Sequence, residues 1–153
     1  MLLDSRLVPQ TNVTPRSFVG LMSVYESNYL RLLNLIPDLR RLDGCYRSRV
    51  AGDCDLHLDI LKRERYTLTL ALTYYFETDS GRVADPDMLV RVYLDGQLAE
   101  AMCLGEDHRD ADFRRLWRSH GGELGERWTR NVILNKWLEY LLDQGHLVLE
   151  EQA

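Results

Sequence analysis

Met88-Leu-Val-Arg-Val-Tyr-Leu-Asp-Gly-Gln-Leu-Ala-Glu-Ala-Met102 decides how this chain folds. Apolar and polar residues alternate on both sides of Asp95-Gly96. A two-residue hairpin turn asks for positive φ at both central positions, which Asp and Gly tolerate. The predicted register sets Leu94 against Gln97, Tyr93 against Leu98, Val92 against Ala99, Arg91 against Glu100, Val90 against Ala101 and Leu89 against Met102. Because side chains alternate across a strand, Met88, Val90, Val92, Leu94, Ala99 and Ala101 share one face, and Leu89, Arg91, Tyr93, Leu98, Glu100 and Met102 share the other. The first face is core. The second sets a cation directly across from an anion, with a tyrosine beside them.

Working outward, Tyr66-Thr-Leu-Thr-Leu-Ala-Leu-Thr-Tyr-Tyr-Phe76 is rich in β-branched and aromatic residues and reads as a strand. Leu56 to Leu61 is a second, with Leu56, Leu58 and Ile60 on one side, and Cys45 to Val50 a third. A connection at Arg63-Glu64-Arg65 sets Ile60 opposite Leu68, Leu58 opposite Leu70 and Leu56 opposite Leu72. Thr78 to Gly81 and Asp85-Pro86 are loop chemistry.

Helical spacing takes over at both ends. Thr14 is placed to cap a first helix, with Pro15 at its first position. Phe18, Leu21, Met22, Tyr25, Tyr29, Leu32, Leu33 and Ile36 form its apolar stripe, and Pro37 stops it. The last helix runs from about Glu126 to Gln144 with Gly145 just past its end, burying Leu134, Trp137, Leu138, Leu141 and Leu142 and, further back, Asn131 and Trp128. Leu147 to Leu149 reads as a short edge strand, and Asp112 to Arg118 as a short helix in the irregular connection 105–125.

The fold expected is α+β: an antiparallel, meander-like sheet of about five strands, with the N-terminal and C-terminal helices packed on one face. Residues 1–13 form an N-terminal arm and 14–150 a single domain. With 45% hydrophobic and 28% charged residues in 153, the chain is neither disordered nor membranous, and no stretch is long and apolar enough to span a bilayer. A net charge of -5 argues against nucleic acid as the main partner. Three scattered cysteines, Cys45, Cys54 and Cys103, fit neither a disulfide framework nor a four-ligand zinc site. These features together read as cytoplasmic.

Chemistry is harder to find. No Gly-rich phosphate loop, G-x-S-x-G elbow or H-E-x-x-H occurs, so neither a catalytic residue nor a cofactor is expected and the balance leans away from an enzyme. Glu106-Asp107-His108 with Asp110 and Asp112 offers ligand types without a metal motif, and acidic residues before a helix commonly complement its N-terminus. Asp55, His57 and Asp59 alternate along a strand and read as an ordinary polar face, with Cys54 pointing the other way. Arg114, Arg115, Arg118 and Arg127, interleaved with Trp117 and Trp128, are anion-binding candidates or, more ordinarily, a solvated helix face.

Glu26-x-Asn28-x-x-x-Leu32-x-x-Leu35-x-Pro37, Arg65-Tyr66-Thr67, Pro86-x-Met88-x-Val90-Arg91-x-Tyr93-x-Asp95 followed by Ala99-Glu100, and Asn131-x-x-Leu134-x-x-Trp137-Leu138-x-Tyr140 resemble the YqiB-like family of small bacterial proteins. The resemblance implies a bacterial cytoplasmic protein of one domain and carries no chemistry. It directs attention to Glu26, Asn28, Arg65, Arg91, Tyr93, Glu100 and Asn131. The expected function is a non-catalytic binding or interaction module using the free sheet face around Arg91, Tyr93 and Glu100, its partner an unknown protein, a second copy of the chain or a small anionic ligand. The alternatives are a small enzyme or phosphorylated-metabolite binder with a pocket between the sheet and the 105–125 loop, and an RNA-associated protein.

Overall fold

The computed structural model describes residues 17–104 and 123–150. Five strands, β1 (Cys45–Ser48), β2 (Asp55–Arg63), β3 (Thr67–Thr78), β4 (Gly81–Tyr93) and β5 (Leu98–Leu104), pair in sequence order as one antiparallel sheet. Helices α1 (Phe18–Leu35) and α2 (Glu123–Asp143) pack against each other and against β5. Leu56, Leu58, Leu68, Leu70, Leu72, Val90 and Val92, all at most 1% exposed, join Leu32, Leu35, Leu134, Leu138 and Leu141 in one core cluster. The expected α+β meander is the observed fold.

The hairpin holds its register from Tyr93↔Leu98 to Val90↔Ala101 and then slips, because Met102 bulges and Leu89 pairs with Cys103. Its connection is also different from the two-residue turn expected. Residues 94–97 form the loop, and the positive φ falls on Gln97 (57°) rather than on Asp95 or Gly96.

The expected pairing of β2 with β3 is out by two residues. Ile60 faces Leu70, Leu58 faces Leu72 and Leu56 faces Tyr74: the turn sets Arg63 against Leu68, three residues off the expected pairing, and the bulge at Leu61 takes one back. The turn therefore centres on Arg65-Tyr66, closed by the Glu64 N–H bonding to the Thr67 carbonyl at 2.9 Å. A shift of two keeps every side chain on its expected face.

Asp85-Pro86 lies inside β4, not in a loop. Two residues there oppose Tyr74 alone, a bulge that accommodates a residue with no N–H to give the ladder, and the Asp85-Pro86 peptide is cis.

Ser17 caps α1 through its Oγ, which accepts the Gly20 N–H at 3.0 Å, so the helix starts later than a Thr14 cap implies; Thr14 and Pro15 fall outside the described residues. Its buried face includes Val24, Asn28, Arg31 and Leu35, while Phe18 is exposed. The helix ends at Leu35, since the residue before Pro37 is pushed out of helical space. At the other end Gly145, at φ 91°, completes a Schellman closure: its N–H bonds the Leu142 carbonyl and the His146 N–H bonds that of Leu141. Residues 147–149 form no strand. They run along the core's margin instead, with Val148 fully buried, Leu147 exposed, and the Val148 N–H bonded to the Leu35 carbonyl.

Candidate functional site

Three polar assemblies stand out, and their positions decide what each can do.

The first lies behind the edge strand. Ala101 N–H donates to Asn131 Oδ1 at 2.7 Å, Asn28 Nδ2 donates to the Ala99 carbonyl and to Asn131 Oδ1 (both 3.3 Å), and Arg130 Nε donates to the Ala101 carbonyl at 3.0 Å. Asn135 Nδ2 continues the chain to Asn28 Oδ1 (3.0 Å) and Ser27 Oγ (2.9 Å). Asn28 and Asn131 are fully buried. Both candidates from the sequence therefore meet, but they spend their hydrogen bonds on the backbone of β5, occupying the side where a sixth strand would pair. Beside them, Arg31 and Glu139 form a buried ion pair between the helices, 3.7 Å apart.

A second assembly ties the chain's end to β1. Tyr74 and Tyr140 hydroxyls donate to Asp53 at 2.5 and 3.2 Å, His146 Nε2 lies 2.9 Å from the same carboxylate, and His146 Nδ1 lies 2.9 Å from Ser48 Oγ. Ser48 Oγ also accepts the Leu147 N–H at 3.1 Å. Serine, histidine and aspartate in line invite a hydrolytic reading. Yet Ser48 is 3% exposed and His146 2%, and the Leu147 amide occupies a lone pair of the would-be nucleophile. The assembly is a latch. Burial alone would raise the Asp53 carboxyl, but hydrogen bonds from Tyr74, the Cys54 amide, His146 and Tyr140 outweigh it and hold the group below its ordinary value.

The third assembly is the open face of the sheet. Near β5, a groove of about 250 Å³ lies between the start of α1 and the hairpin, lined by Phe18, Leu21, Met22, Tyr25, Tyr93, Leu98, Glu100 and Arg127. Glu100 sits between two phenols: Tyr93 donates to its Oε1 at 2.8 Å, and Tyr25, whose hydroxyl burial and Glu100 push well above its ordinary pKa, bonds it from α1. Arg91 stands opposite Glu100 in the ladder, as expected. The direct ion pair between them is not formed, because the Tyr93 hydroxyl reaches diagonally to Glu100 and the Arg91 guanidinium lies beside that same hydroxyl. Glu100 is thus already engaged, and the rest of the groove's lining among the described residues is largely apolar.

Further along the same face, Cys45, His57, Asp59, Ala71, Thr73, Tyr75 and Asp87 surround a hollow of about 330 Å³, with Tyr46 and Leu58 at its margin. Strand alternation explains it. Ala71 pairs with Asp59 on one side and Leu89 on the other, so the smallest side chain of β3 forms a floor between larger walls. Asp59 Oδ1 accepts the Cys45 thiol at 3.3 Å, and Asp87 Oδ1 accepts the Thr73 hydroxyl at 3.0 Å. The hydrogen bond to Asp59 and its charge push the Cys45 thiol up, keeping it protonated. Burial, then the nearby Arg82 guanidinium, hold His57 below its ordinary value and therefore neutral at pH 7. Arg82 lies 4.0 Å over the Tyr75 ring and 3.3 Å from His57 Nε2, which fixes the remaining proton of the ring on Nδ1.

Among the sequence candidates, Tyr93, Glu100 and Arg127 share the groove with Arg91 alongside, Asn28 and Asn131 sit behind the strand, and Arg65 stacks over Tyr66 at the β2–β3 turn. Arg114, Arg115, Arg118 and the acidic cluster 106–112 lie outside the described residues, as does the loop of the alternative pocket. The alternation of Asp55, His57 and Asp59 was visible in sequence. Cys45 and Asp87 were not among the candidates; they reach the hollow from the neighbouring strands, Cys45 across from Asp59 and Asp87 across from Thr73. Among the described residues no group of three or more His, Cys, Asp or Glu is arranged to hold a metal.

No curated protein and no solved structure matches this chain. A family model described as protein of unknown function DUF1249 matches residues 31–147, a span that takes in the end of α1, the whole sheet and α2. The chain belongs to the DUF1249 family, and no chemistry comes with that membership.

Proposed function

We propose that the protein is a non-catalytic binding module that takes a small ligand on the open face of its sheet, in the hollow floored by Ala71. The observation that supports this reading is the lining: two carboxylates, a neutral imidazole and an aromatic ring surround a small side chain in a concavity of about 330 Å³. Ligand sites of small molecules begin near that size, about 300 Å³, and carry a few placed polar groups on a mainly apolar frame. The Tyr93 and Glu100 groove is smaller, and Glu100 already takes two phenols. A bacterial cytoplasmic setting and the narrower YqiB-like assignment belong to the same proposal.

Filling the floor tests it. Ala71→Phe occupies the hollow from a half-buried position and leaves the core face untouched. In a thermal-shift screen against a library of small metabolites, the wild-type chain gains melting temperature with at least one compound and the variant does not. Equal shifts in both proteins refute the placement.

A further inference from the structure

We infer that the hollow, taken as a ligand site on the reading above, selects a small aliphatic diamine, with one ammonium group on Asp59 and the other on Asp87. Each carboxylate spends one oxygen inside the protein, Asp59 on the Cys45 thiol and Asp87 on the Thr73 hydroxyl. Among the described residues neither is ion-paired, although arginines are close by. Arg49 pairs with Asp55 instead, and Arg82 is held over Tyr75 beside His57. With Cys45 protonated and His57 neutral, the lining carries two carboxylates that no cation pairs directly among the described residues, while Arg82, Arg47 and Arg49 stand near His57.

Spacing sets the ligand's length. Asp59 is on β2 and Asp87 on β4, with β3 between them, so their backbones stand about 9–10 Å apart across the sheet. Asp59 faces Ala71 and Asp87 faces Thr73, an offset of two residues, or about 7 Å along the strands. Carboxylates on that diagonal, Asp59 turned toward Cys45 on β1 and Asp87 toward Thr73 on β3, leave room for ammonium groups joined by about four to six methylenes. Those methylenes would lie over Ala71 and against Tyr75, where an uncharged chain loses nothing by leaving water. A single ammonium leaves one carboxylate uncompensated, and an anionic ligand meets both.

Isothermal titration of the full chain with 1,4-diaminobutane, 1,5-diaminopentane and 1,6-diaminohexane tests the assignment, with 1,2-diaminoethane, n-butylamine, 1,4-butanediol and succinate as comparators. One or more of the longer diamines binds saturably, and 1,2-diaminoethane and n-butylamine bind at least tenfold more weakly. Asp59→Asn and Asp87→Asn each weaken the best diamine at least tenfold. The two variants replace different walls, so loss of fold in one leaves the other to decide. Equal binding of short and long diamines, or undiminished binding by both variants, overturns the inference. If butanediol or succinate binds at the hollow and the diamines do not, the ligand class is wrong and the site stands. If nothing in the set binds and Ala71→Phe also leaves the metabolite screen unchanged, both fall.

Discussion

Asn131 Oδ1 accepts the backbone N–H of Ala101 at 2.7 Å, so a helix side chain stands where the next strand of the sheet would be. With Asn28 on the Ala99 carbonyl and Arg130 on the Ala101 carbonyl, the exposed edge of β5 becomes a buried, paired one. Two asparagines read in the sequence as candidate binding residues make hydrogen bonds with the strand's backbone and with each other.

Asn131→Ala removes the acceptor and strands a buried amide, which costs about 1–3 kcal/mol. Urea denaturation should show that loss as a lower midpoint with an unchanged slope. A change under about 0.5 kcal/mol, typical of a surface substitution, contradicts the structural role.

Arg31 and Glu139 join α1 to α2 at 1% and 8% side-chain exposure. Glu139→Leu removes a buried carboxylate from beside the guanidinium and destabilises by up to about 3–5 kcal/mol, whereas pairing it with Arg31→Met recovers most of the loss. A double variant no more stable than the single one refutes this coupling in a double-mutant cycle.

Asp53 makes stability depend on acid. Its carboxyl titrates lower in the folded chain than in the unfolded one, so its contribution is complete above about pH 4, the ordinary aspartate value, and is lost as pH falls through the folded value. Asp53→Asn should therefore destabilise the protein at pH 7 and differ less and less from wild type below about pH 4. A stability gap that stays constant with pH removes Asp53 from the acid response.

Gly145 closes α2 at φ 91°. A side chain there meets the left-handed penalty, and Gly145→Ala should cost about 1–2 kcal/mol. Thermal melting at neutral pH measures it, and an unchanged midpoint would show that the Schellman closure tolerates a β-carbon.

Much of the fold was legible because alternation is local. Val90, Val92, Leu68 and Leu70 could be assigned to the core from period alone, and Asp95-Gly96 marked the hairpin centre closely enough to set four cross-strand pairs. Bulges were not legible. Met102 and the Asp85-Pro86 step each insert a residue without breaking the hydrophobic pattern, so registers beyond them slip, and between β2 and β3 the turn at Arg65-Tyr66 carries no glycine to mark it, with the Leu61 bulge then taking one residue of the shift back. The latch was hidden for a different reason: Ser48, Asp53 and His146 are joined only by the path of the chain's end, over more than ninety residues between His146 and the other two. In the hollow, one wall could be read from Asp55, His57 and Asp59, whereas the concavity comes from Ala71 on the neighbouring strand and could not.

Backbone amide chemical-shift mapping of the full chain with a small-metabolite mixture addresses the binding surface most directly. Binding at the open face predicts shifts concentrated at His57 to Asp59, Ala71 to Tyr75 and Asp87, absent in Ala71→Phe. Shifts confined to Tyr25, Tyr93 and Leu98, or none that the Ala71→Phe variant removes, would contradict it.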